Sequence, residues 1–411
     1  MKYIDLNNDP HRLVIVDRED GQFLGQVSSV MLCDNKTIVA MYPKGHGRGS
    51  LVEKISHDGG LTWSERIALP ESFITSMEVP TLYRLTDNNG KERIFLYSGY
   101  YPIRSAVSED GGLTWSDFSQ LADHGGICAM GDIVELGQPG KYAALFHDDG
   151  NALTGGDFSE KHTFWKYTDG NKAKYIRSIQ RRQENGSFGP WEKSIFVDGD
   201  RSIPEENGKS IYEVTFGHVD QGRAFQIVKI TTEDGGITWS KPAFVAKHPN
   251  AHLCEPGAIR LKDDTVAVLM RENSRKYNSF IMFSHDSCET FGDLKELPDC
   301  LTGDRHICRM LNDGRIAITF RDNLPGSNTR GDWMLWVGTD EDLKNGTTGQ
   351  YLFRLKDNLP NASGWEADCA YAGFHVLPDD TMVLITYGHW EANKEAYVIA
   401  VRLHLKEFDE E

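Results

Sequence analysis

The chain has 411 residues, with 44 Lys and Arg against 61 Asp and Glu, which gives a formal net charge of −17. This charge argues against nucleic acid or an anionic membrane as a partner, although a local group of arginines can still bind a small acidic molecule. No stretch approaches the roughly 18 apolar residues of a membrane-spanning helix. The 40 glycines and the lack of long helical periodicity predict an all-β protein of short strands.

The N-terminus and the cysteines bear on the cellular compartment. Residues 1–10 lack the apolar core of a signal peptide, and the seven cysteines include no C-x-x-C pair. We therefore expect a cytoplasmic protein, and a trimmed secreted or periplasmic protein is the alternative. No group of residues has the spacing of metal ligands, so we expect neither a metal nor another cofactor.

One eight-residue phrase recurs along the chain. Its first copy is Ser56–Trp63, SHDGGLTW, and it returns at Ser108–Trp115 and at Thr232–Trp239. A degenerate copy follows at Ser284–Phe291. The Ser and Asp can accept hydrogen bonds from backbone amides, and the glycines can adopt positive φ, so the phrase suits a tight turn between strands. The repetition indicates a repeat protein.

The spacing of the copies predicts the organisation of the chain. Ser56 and Ser108 are 52 residues apart, as are Thr232 and Ser284, but Ser108 and Thr232 are 124 apart. We interpret the extra length as an insertion at about 150–221 within the third repeat of a single domain, residues 1–411. Six antiparallel repeats of four strands then account for the chain, with residues 12–17 completing the sixth. Seven repeats are the alternative.

The phrase resembles the Asp box, or BNR repeat, of the sialidase-like β-propellers. The resemblance implies a six-bladed β-propeller, in which the first strands of all blades line a central channel and residues distant in sequence meet at its mouth. The Asp box itself lies on the rim of such a blade, so it specifies architecture and not chemistry.

In this family a tyrosine is the nucleophile, a glutamate activates it and three arginines bind the substrate carboxylate. Tyr371, Glu255 and Arg271 resemble the tyrosine, the glutamate and the second arginine. Arg321, at the end of a predicted second strand, is our choice for the third arginine, and Arg330, at the start of a predicted third strand, fits the family position about as well. A phenol is a poor nucleophile at neutral pH unless a base such as Glu255 takes its proton.

The chain departs from the family at two places. Residues 26–29 read Gln-Val-Ser-Ser where the first arginine is expected, and Arg305 is a candidate replacement. The loop 42–50 holds no acidic residue where the family has its acid/base aspartate. His46 or Asp148 could serve as acid/base instead. The further predicted substrate-binding residues are Arg48, Lys44, Glu78, His147, Tyr387 and His389, and His389 beside Trp390 could offer a platform on which a sugar stacks.

These patterns predict a glycoside hydrolase that removes a terminal, acidic sugar from a glycan by a retaining mechanism through Tyr371. A uronate-directed polysaccharide lyase, or another histidine-dependent glycosidase on the same fold, is the second interpretation. A propeller that binds glycans without catalysis is the third. The expected partner is a carbohydrate, and the sequence leaves the oligomeric state open.

Overall fold

The computed structural model describes residues 1–149, 160–169, 172–198, 209–216, 225–360 and 368–409. Within these residues the chain forms seven sheets, antiparallel except for one strand pair, and only short helices. The prediction of an all-β protein is confirmed. No helix in the described part of the chain is long and apolar enough to cross a membrane.

The N-terminal part of the chain supplies two separate strands and the first two sheets. The separate strands are β1 (Lys2–Asp5) and β2 (Leu13–Asp17), on either side of a 3-10 helix, Pro10–Arg12. The first sheet contains β3 (Ser28–Met31), β4 (Ile38–Pro43) and β5 (Leu51–Ser56). After a second 3-10 helix, Glu71–Thr75, the second sheet contains β6 (Thr81–Thr86), β7 (Glu92–Ser98), β8 (Arg104–Ser108) and β9 (Ser119–Gln120).

The third sheet is interrupted in sequence by a separate sheet. It begins with β10 (Ile127–Glu135) and β11 (Tyr142–Asp148). The inserted sheet then follows, with β12 (Glu160–Asp169), β13 (Lys172–Arg182), β14 (Phe188–Asp198) and β15 (Lys209–Phe216) in the spatial order β14-β13-β12-β15. The chain returns to complete the third sheet with β16 (Gln226–Thr232) and β17 (Ala243–Ala246).

The C-terminal part forms the fourth, fifth and sixth sheets. The fourth contains β18 (Leu253–Arg260), β19 (Val266–Glu272), β20 (Phe280–Ser284) and β21 (Lys295–Glu296). After a 3-10 helix, Asp299–Leu301, the fifth contains β22 (Gly303–Met310), β23 (Ile316–Asp322), β24 (Trp333–Gly338) and β25 (Tyr351–Lys356), with helix α1 (Asp340–Asn345) between the last two. The sixth contains β26 (Gly373–Val376), β27 (Thr381–Gly388) and β28 (Tyr397–His404), and helix α2 (Lys406–Asp409) follows it.

The first strands of these six sheets contact one another in a closed cycle, β3-β6-β10-β18-β22-β26 and back to β3. Such a cycle is the arrangement of a β-propeller. β2 pairs antiparallel with β28 and completes the sixth sheet, as predicted for residues 12–17. β1, which the sequence analysis did not predict, adds to the edge of β25 in parallel. Both pairings cover sheet edges that would otherwise be open.

Apolar side chains fill the space between neighbouring sheets. The fifth and sixth sheets enclose a cluster that includes Trp333 and Phe374, and the sixth and first enclose another that includes Tyr42 and Tyr387. These four side chains are buried almost completely. Burying large side chains of this kind contributes about 1.5–3 kcal/mol each. Adjacent sheets are therefore held together by core packing, which fixes the positions of the strand ends at the channel mouth.

The Asp boxes form the turns that the sequence predicts. In the first copy Gly60 N donates to Ser56 Oγ at 2.8 Å, and Thr62 N donates to Asp58 Oδ1 at 2.9 Å. Burial alone would raise the pKa of Asp58, but hydrogen bonds from Thr62 lower it to about 2. In the degenerate copy Ser284 and Asp286 accept the equivalent hydrogen bonds from the backbone N–H groups of Cys288 and Thr290. Cys288 (φ 65°) occupies the position of a glycine.

Candidate active site

Two charged residues enter the channel mouth from irregular positions in their first strands. Glu255 (φ 48°) in β18 and Arg305 (φ 54°) in β22 both adopt the left-handed conformation. The pairing register with the next strand slips at both positions. A bulge of this kind re-aims a side chain, and the left-handed conformation costs a non-glycine residue about 1–3 kcal/mol. Such strain concentrates at functional sites, so these two positions are candidates for chemistry.

Tyr371 and Glu255 form the centre of the site. The Tyr371 hydroxyl donates a hydrogen bond to Glu255 Oε1, although Tyr371 lies two residues before β26 of the sixth sheet and Glu255 lies in β18 of the fourth. Both residues are buried. Burial and the neighbouring Glu255 carboxylate raise the pKa of Tyr371 well above its usual value, so the phenol is neutral at neutral pH. The pair is thus a protonated phenol with a hydrogen-bond acceptor already in place to take its proton.

Arg271 holds this pair together. Its Nη1 lies 2.8 Å from Glu255 Oε1 and 3.2 Å from the Tyr371 hydroxyl, and its Nη2 donates to Asn273 Oδ1 at 2.6 Å. Burial has the largest single effect on Glu255 and would raise its pKa, but Arg271, the hydrogen bond from Tyr371 and Arg305 together lower that pKa below its usual value. Glu255 is therefore an ionised base at neutral pH.

Asp304 is a buried carboxylate shared by three arginines. It lies 3.1 Å from Arg271 Nε, binds both terminal nitrogens of Arg275 at 2.6 and 3.0 Å, and accepts from Arg321 Nη2 at 2.6 Å. Burial opposes its ionisation, but Arg271, Arg321 and Arg275 hold the pKa of Asp304 far below its usual range. Breaking such a buried network by removing one charge typically costs about 3–5 kcal/mol.

Two arginines lie against the Tyr371 ring. The guanidinium carbon of Arg321 is 5.7 Å from the ring centroid, and that of Arg305 is 5.9 Å away. Each nitrogen of Arg321 already has a protein partner, Asp304 or the Cys369 carbonyl. Arg305 Nη1, by contrast, is buried and has no hydrogen-bond partner among the described residues. Arg305 is thus the arginine best placed to receive a substrate anion, whereas Arg321 primarily orders the site.

His46 forms a second group beside the tyrosine. Its Nδ1 lies 3.2 Å from Asp368 Oδ1, and the Tyr387 hydroxyl donates to the same oxygen at 2.8 Å. Burial opposes ionisation of Asp368, but its bonds with His389 and His46 hold the pKa of this carboxyl below its usual range. An ionised carboxylate at Nδ1 fixes the tautomer and orientation of an imidazole.

A buried amide connects the His46 loop to this group. Gln26 Oε1 accepts from Gly47 N at 2.5 Å, and Gln26 Nε2 donates to the Tyr387 hydroxyl at 3.0 Å. The rings of Tyr387 and Tyr371 have centroids 6.4 Å apart. Gln26, where the family has an arginine, therefore positions the His46 loop next to the tyrosine.

The remaining predicted residues of the third sheet are buried. His147 Nδ1 accepts from Glu255 N at 3.3 Å, and burial lowers the pKa of His147 to about 3, so this imidazole is neutral. Asp148 lies at the end of β11, where Gln226 Nε2 donates to it at 3.3 Å. The contact of His147 supports the backbone of Glu255, and an acid/base role for Asp148 stays a prediction.

Glu78 lies beside the second sheet, and Lys44 of the loop 42–50 lies beside the inserted sheet. Glu78 (φ 56°) accepts from Cys128 Sγ at 3.3 Å, and Cys128 packs in the same apolar cluster as Tyr371. Lys44 Nζ lies 3.0 Å from Asp198 of the inserted sheet and 3.3 Å from Glu19. The structure therefore gives Lys44 ion pairs within the protein.

Three sequence-based interpretations need correction. Arg330 does not open a third strand, because β24 begins at Trp333. A sugar-stacking platform at His389 and Trp390 is wrong, because Trp390 packs in the core between the fifth and sixth sheets and the His389 ring packs edge-on against Phe23. Tyr387 is likewise fully buried and binds Asp368, so it contacts the site through its neighbours rather than through a substrate.

The carboxylates that organise the two halves of the site, Asp304 and Asp368, were not among the residues predicted from the sequence. Asp304 directly precedes Arg305, and Asp368 lies three residues before Tyr371. An acidic residue within three positions of a candidate arginine or tyrosine was a usable signal for both. Arg275 gave no comparable signal, because it lies in the turn after β19. In the described part of the chain, no group of three or more His, Cys, Asp or Glu residues is placed to hold a metal ion.

Comparisons with known proteins support the architecture. The BNR/Asp-box repeat family matches residues 54–65, which confirms the resemblance drawn from the repeated phrase. A comparison with curated protein sequences finds no match. A protein of unknown function from Dyadobacter fermentans has a similar structure, with a TM-score of 0.59, 13% identity, and coverage of 96% of this chain and 98% of the other.

Two enzymes are also among the similar structures. The α-L-arabinanase of Penicillium chrysogenum, complexed with arabinobiose, gives a TM-score of 0.52 at 13% identity, with 96% of this chain and 98% of the arabinanase covered. The NanB sialidase of Streptococcus pneumoniae gives 0.48 at 12% identity, covering 96% and 71%. The TM-scores of the Dyadobacter protein and the arabinanase show that they share the fold of this chain. At identities this low the likeness carries no assignment of activity.

Proposed function

We propose that this chain is a six-bladed β-propeller with an inserted sheet in its third blade, and that it acts as a glycoside hydrolase. The hydrogen bond from Tyr371 to Glu255, held by Arg271, is the observation that carries the proposal. A buried phenol beside an ionised carboxylate is an activated nucleophile. Burying the Glu255 and Arg271 charges has a desolvation cost that apolar side chains in a structural core would avoid.

In the first step the Tyr371 oxygen attacks the anomeric carbon while its proton passes to Glu255. The bond to the leaving-group oxygen breaks, and that oxygen takes a proton from His46. The product is a glycosyl-tyrosine intermediate. A neutral phenol approaches an acidic sugar without the repulsion that a carboxylate nucleophile would meet.

In the second step His46, now neutral, takes a proton from water, and the resulting hydroxide attacks the anomeric carbon. The bond to Tyr371 breaks, and the tyrosine recovers its proton from Glu255. Asp368 acts throughout as a positioning residue, because it is bound to the Nδ1 side of His46. Two displacements at the same carbon retain the anomeric configuration.

The charges around Tyr371 favour an acidic terminal sugar. Arg271, Arg275, Arg305 and Arg321 lie in this group, and Glu255 and Asp304 are the carboxylates that pair with them. A carboxylate on the substrate could accept a hydrogen bond from Arg305 Nη1, which has no other hydrogen-bond partner among the described residues. Arginine binds such a group with directed, charge-assisted hydrogen bonds.

The test is hydrolysis of a panel of aryl glycosides by the wild type and by Tyr371→Phe. The panel includes sialic acid, uronic acids and neutral sugars such as arabinose. We expect hydrolysis of an acidic member and a loss of about 10³-fold or more in kcat in the variant. Tyr351→Phe, which removes a hydroxyl bonded to Asp409 at 2.9 Å, is the matched control and should retain full activity.

Full activity of Tyr371→Phe would refute the tyrosine mechanism. Products with near-ultraviolet absorbance would show an unsaturated sugar, and the lyase interpretation would then replace the hydrolase. Binding of glycans without turnover of any substrate, polysaccharides included, would favour the non-catalytic interpretation.

A further inference from the structure

A second cavity, of about 410 Å³, lies between the loop that carries His46 and the inserted sheet. The inserted sheet contributes Arg177 from β13 and Ile195 and Val197 from β14, and the loop contributes Lys44, Gly45, His46, Arg48 and Gly49. This volume falls within the range of small-molecule sites, about 300–1,000 Å³. His46 lines the cavity and also binds Asp368 in the candidate active site, so the two spaces are adjacent.

Arg177 is a buried cation in this cavity. Its exposed fraction is 5%, its Nη1 contacts Met77 Sδ at 3.3 Å, and its Nε has no hydrogen-bond partner among the described residues. The nearby carboxylate of Glu160 bonds His162 Nε2 at 2.9 Å. A buried guanidinium is costly unless an anion pairs with it.

Arg48 adds a second positive charge to the same cavity. It is exposed and makes no hydrogen bond or ion pair with any described residue. Burial, followed by repulsion from Arg48, lowers the pKa of Arg177 to about 10. The third cation, Lys44, is already paired with Asp198 and Glu19. The two arginines therefore face the cavity without a compensating carboxylate in the described part of its wall.

We propose that this cavity binds an anionic group, a carboxylate or a sulfate ester, on the leaving-group side of the glycan. The assignment to that side rests on the proposed function, in which His46 protonates the leaving-group oxygen. The substrate would then carry one anion at Arg305 and another between Arg177 and Arg48. Ile74, Ile195 and Val197 supply the apolar wall for the body of the sugar.

Calorimetric titration with inorganic sulfate tests the cavity without requiring catalysis. We expect the wild type to bind sulfate in the cavity, and Arg177→Gln and Arg48→Gln each to weaken that binding at least about 10-fold. Arg181→Gln is the matched control, because Arg181 lies on the same strand, is 67% exposed and pairs with Glu192 at 3.1 Å. It should bind sulfate like the wild type.

Equal binding of sulfate by the wild type and by Arg48→Gln would overturn the inference. Because Arg48 is exposed, this variant should fold even if Arg177→Gln does not. Competition then separates the two sources of the anion. Displacement of sulfate by digalacturonate, and not by a 6-sulfated neutral disaccharide, would identify a carboxylate, and the reverse would identify a sulfate ester. Sulfate binding in a protein that hydrolyses no glycoside would preserve the cavity and refute only the proposed function.

Discussion

The two halves of the candidate site are built in opposite ways. On the tyrosine side, Tyr371, Glu255, Asp304 and Arg321 are buried, and Arg271 and Arg275 are partly buried. Ion pairs connect the charged groups of the fourth and fifth sheets, and the hydrogen bond from Tyr371 to Glu255 joins them to the sixth. On the histidine side, His46 lies on a loop with 55% of its side chain exposed, and only its partners Asp368, Gln26 and Tyr387 are buried.

The difference corresponds to two chemical tasks. A nucleophile must reach one carbon at one angle, so a rigid environment of buried ion pairs prepares it for reaction. An acid must reach a leaving group whose shape varies between substrates, so a half-exposed imidazole with a fixed Nδ1 partner suits that task. We therefore expect substitutions on the tyrosine side to affect stability and catalysis together, and substitutions on the histidine side to affect mainly catalysis.

The largest expected effect is that of Asp304→Asn. The substitution leaves three arginines without their shared carboxylate, and we expect a loss of about 3–5 kcal/mol in the free energy of unfolding together with loss of activity. Urea denaturation measures the change. Asp313→Asn, which removes a surface partner of Arg315, is the control and should cost less than about 1 kcal/mol. A stable, active Asp304→Asn protein would contradict the central role of this carboxylate.

Asp368→Asn should affect catalysis more than stability. It disturbs the orientation and charge of the group bound to His46, and we expect kcat to fall about 10²-fold with KM nearly unchanged. If Asp368 positions the acid His46, the loss of kcat should depend on the leaving group. A nitrophenolate leaves with little protonation, whereas an alkoxide must be protonated as it leaves. The loss should thus be larger for alkyl than for nitrophenyl glycosides, and His46→Gln should show the same pattern. A uniform loss on both substrates would indicate a merely structural role.

The pH profile separates the two halves further. Arg271 lowers the pKa of Glu255, so Glu255 remains a base until the pH falls well into the acidic range. Arg271→Gln removes this charge, the pKa of Glu255 rises, and the acidic limb of kcat/KM should move to higher pH by about one unit or more. Arg271→Lys retains the charge and should move the limb less. An unchanged acidic limb in Arg271→Gln would exclude Glu255 as the titrating base.

The smallest effect is expected for Lys44→Gln. Lys44 pairs with Asp198 and Glu19, so its replacement should change KM less than about two-fold and stability by less than about 1 kcal/mol. Steady-state kinetics on the substrate found with the aryl glycosides checks this. A large rise in KM would restore the substrate-binding role predicted from the sequence.

The sequence was most informative where function depends on local chemistry. The Asp box uses residues within one turn, such as Ser56, Asp58 and Thr62, so a single copy shows its own mechanism and its repetition reveals the fold. Tyr371 and Glu255 were identified by their resemblance to the tyrosine and the glutamate of the sialidase-like propellers, in which the first strands line the channel. The structure brings these two residues into contact although 116 residues separate them.

The sequence was least informative where partners come from different sheets. Nothing near Asp304 indicates that Arg275 and Arg321 share its carboxylate, because each arginine reaches it from a separate strand or turn. His46 was selected for its glycine-rich loop, but its contacts with Asp368 and Gln26 depend on how the first and sixth sheets meet. Arg177 was missed altogether, because its burial depends on the way the inserted sheet packs against Met77 and Ile74.

The pairing of β2 with β28 also bears on how the protein folds. Leu13 lies opposite Val401, so the sixth sheet joins segments from the two ends of the chain. Closing so long a loop delays folding, because the chain loses conformational entropy before the contact stabilises it. We expect ring closure to be a late and slow step. A circular permutant with residues 1–17 moved behind α2 makes this pair local, and faster refolding of the permutant in stopped-flow fluorescence would show that the joining of the ends limits the rate.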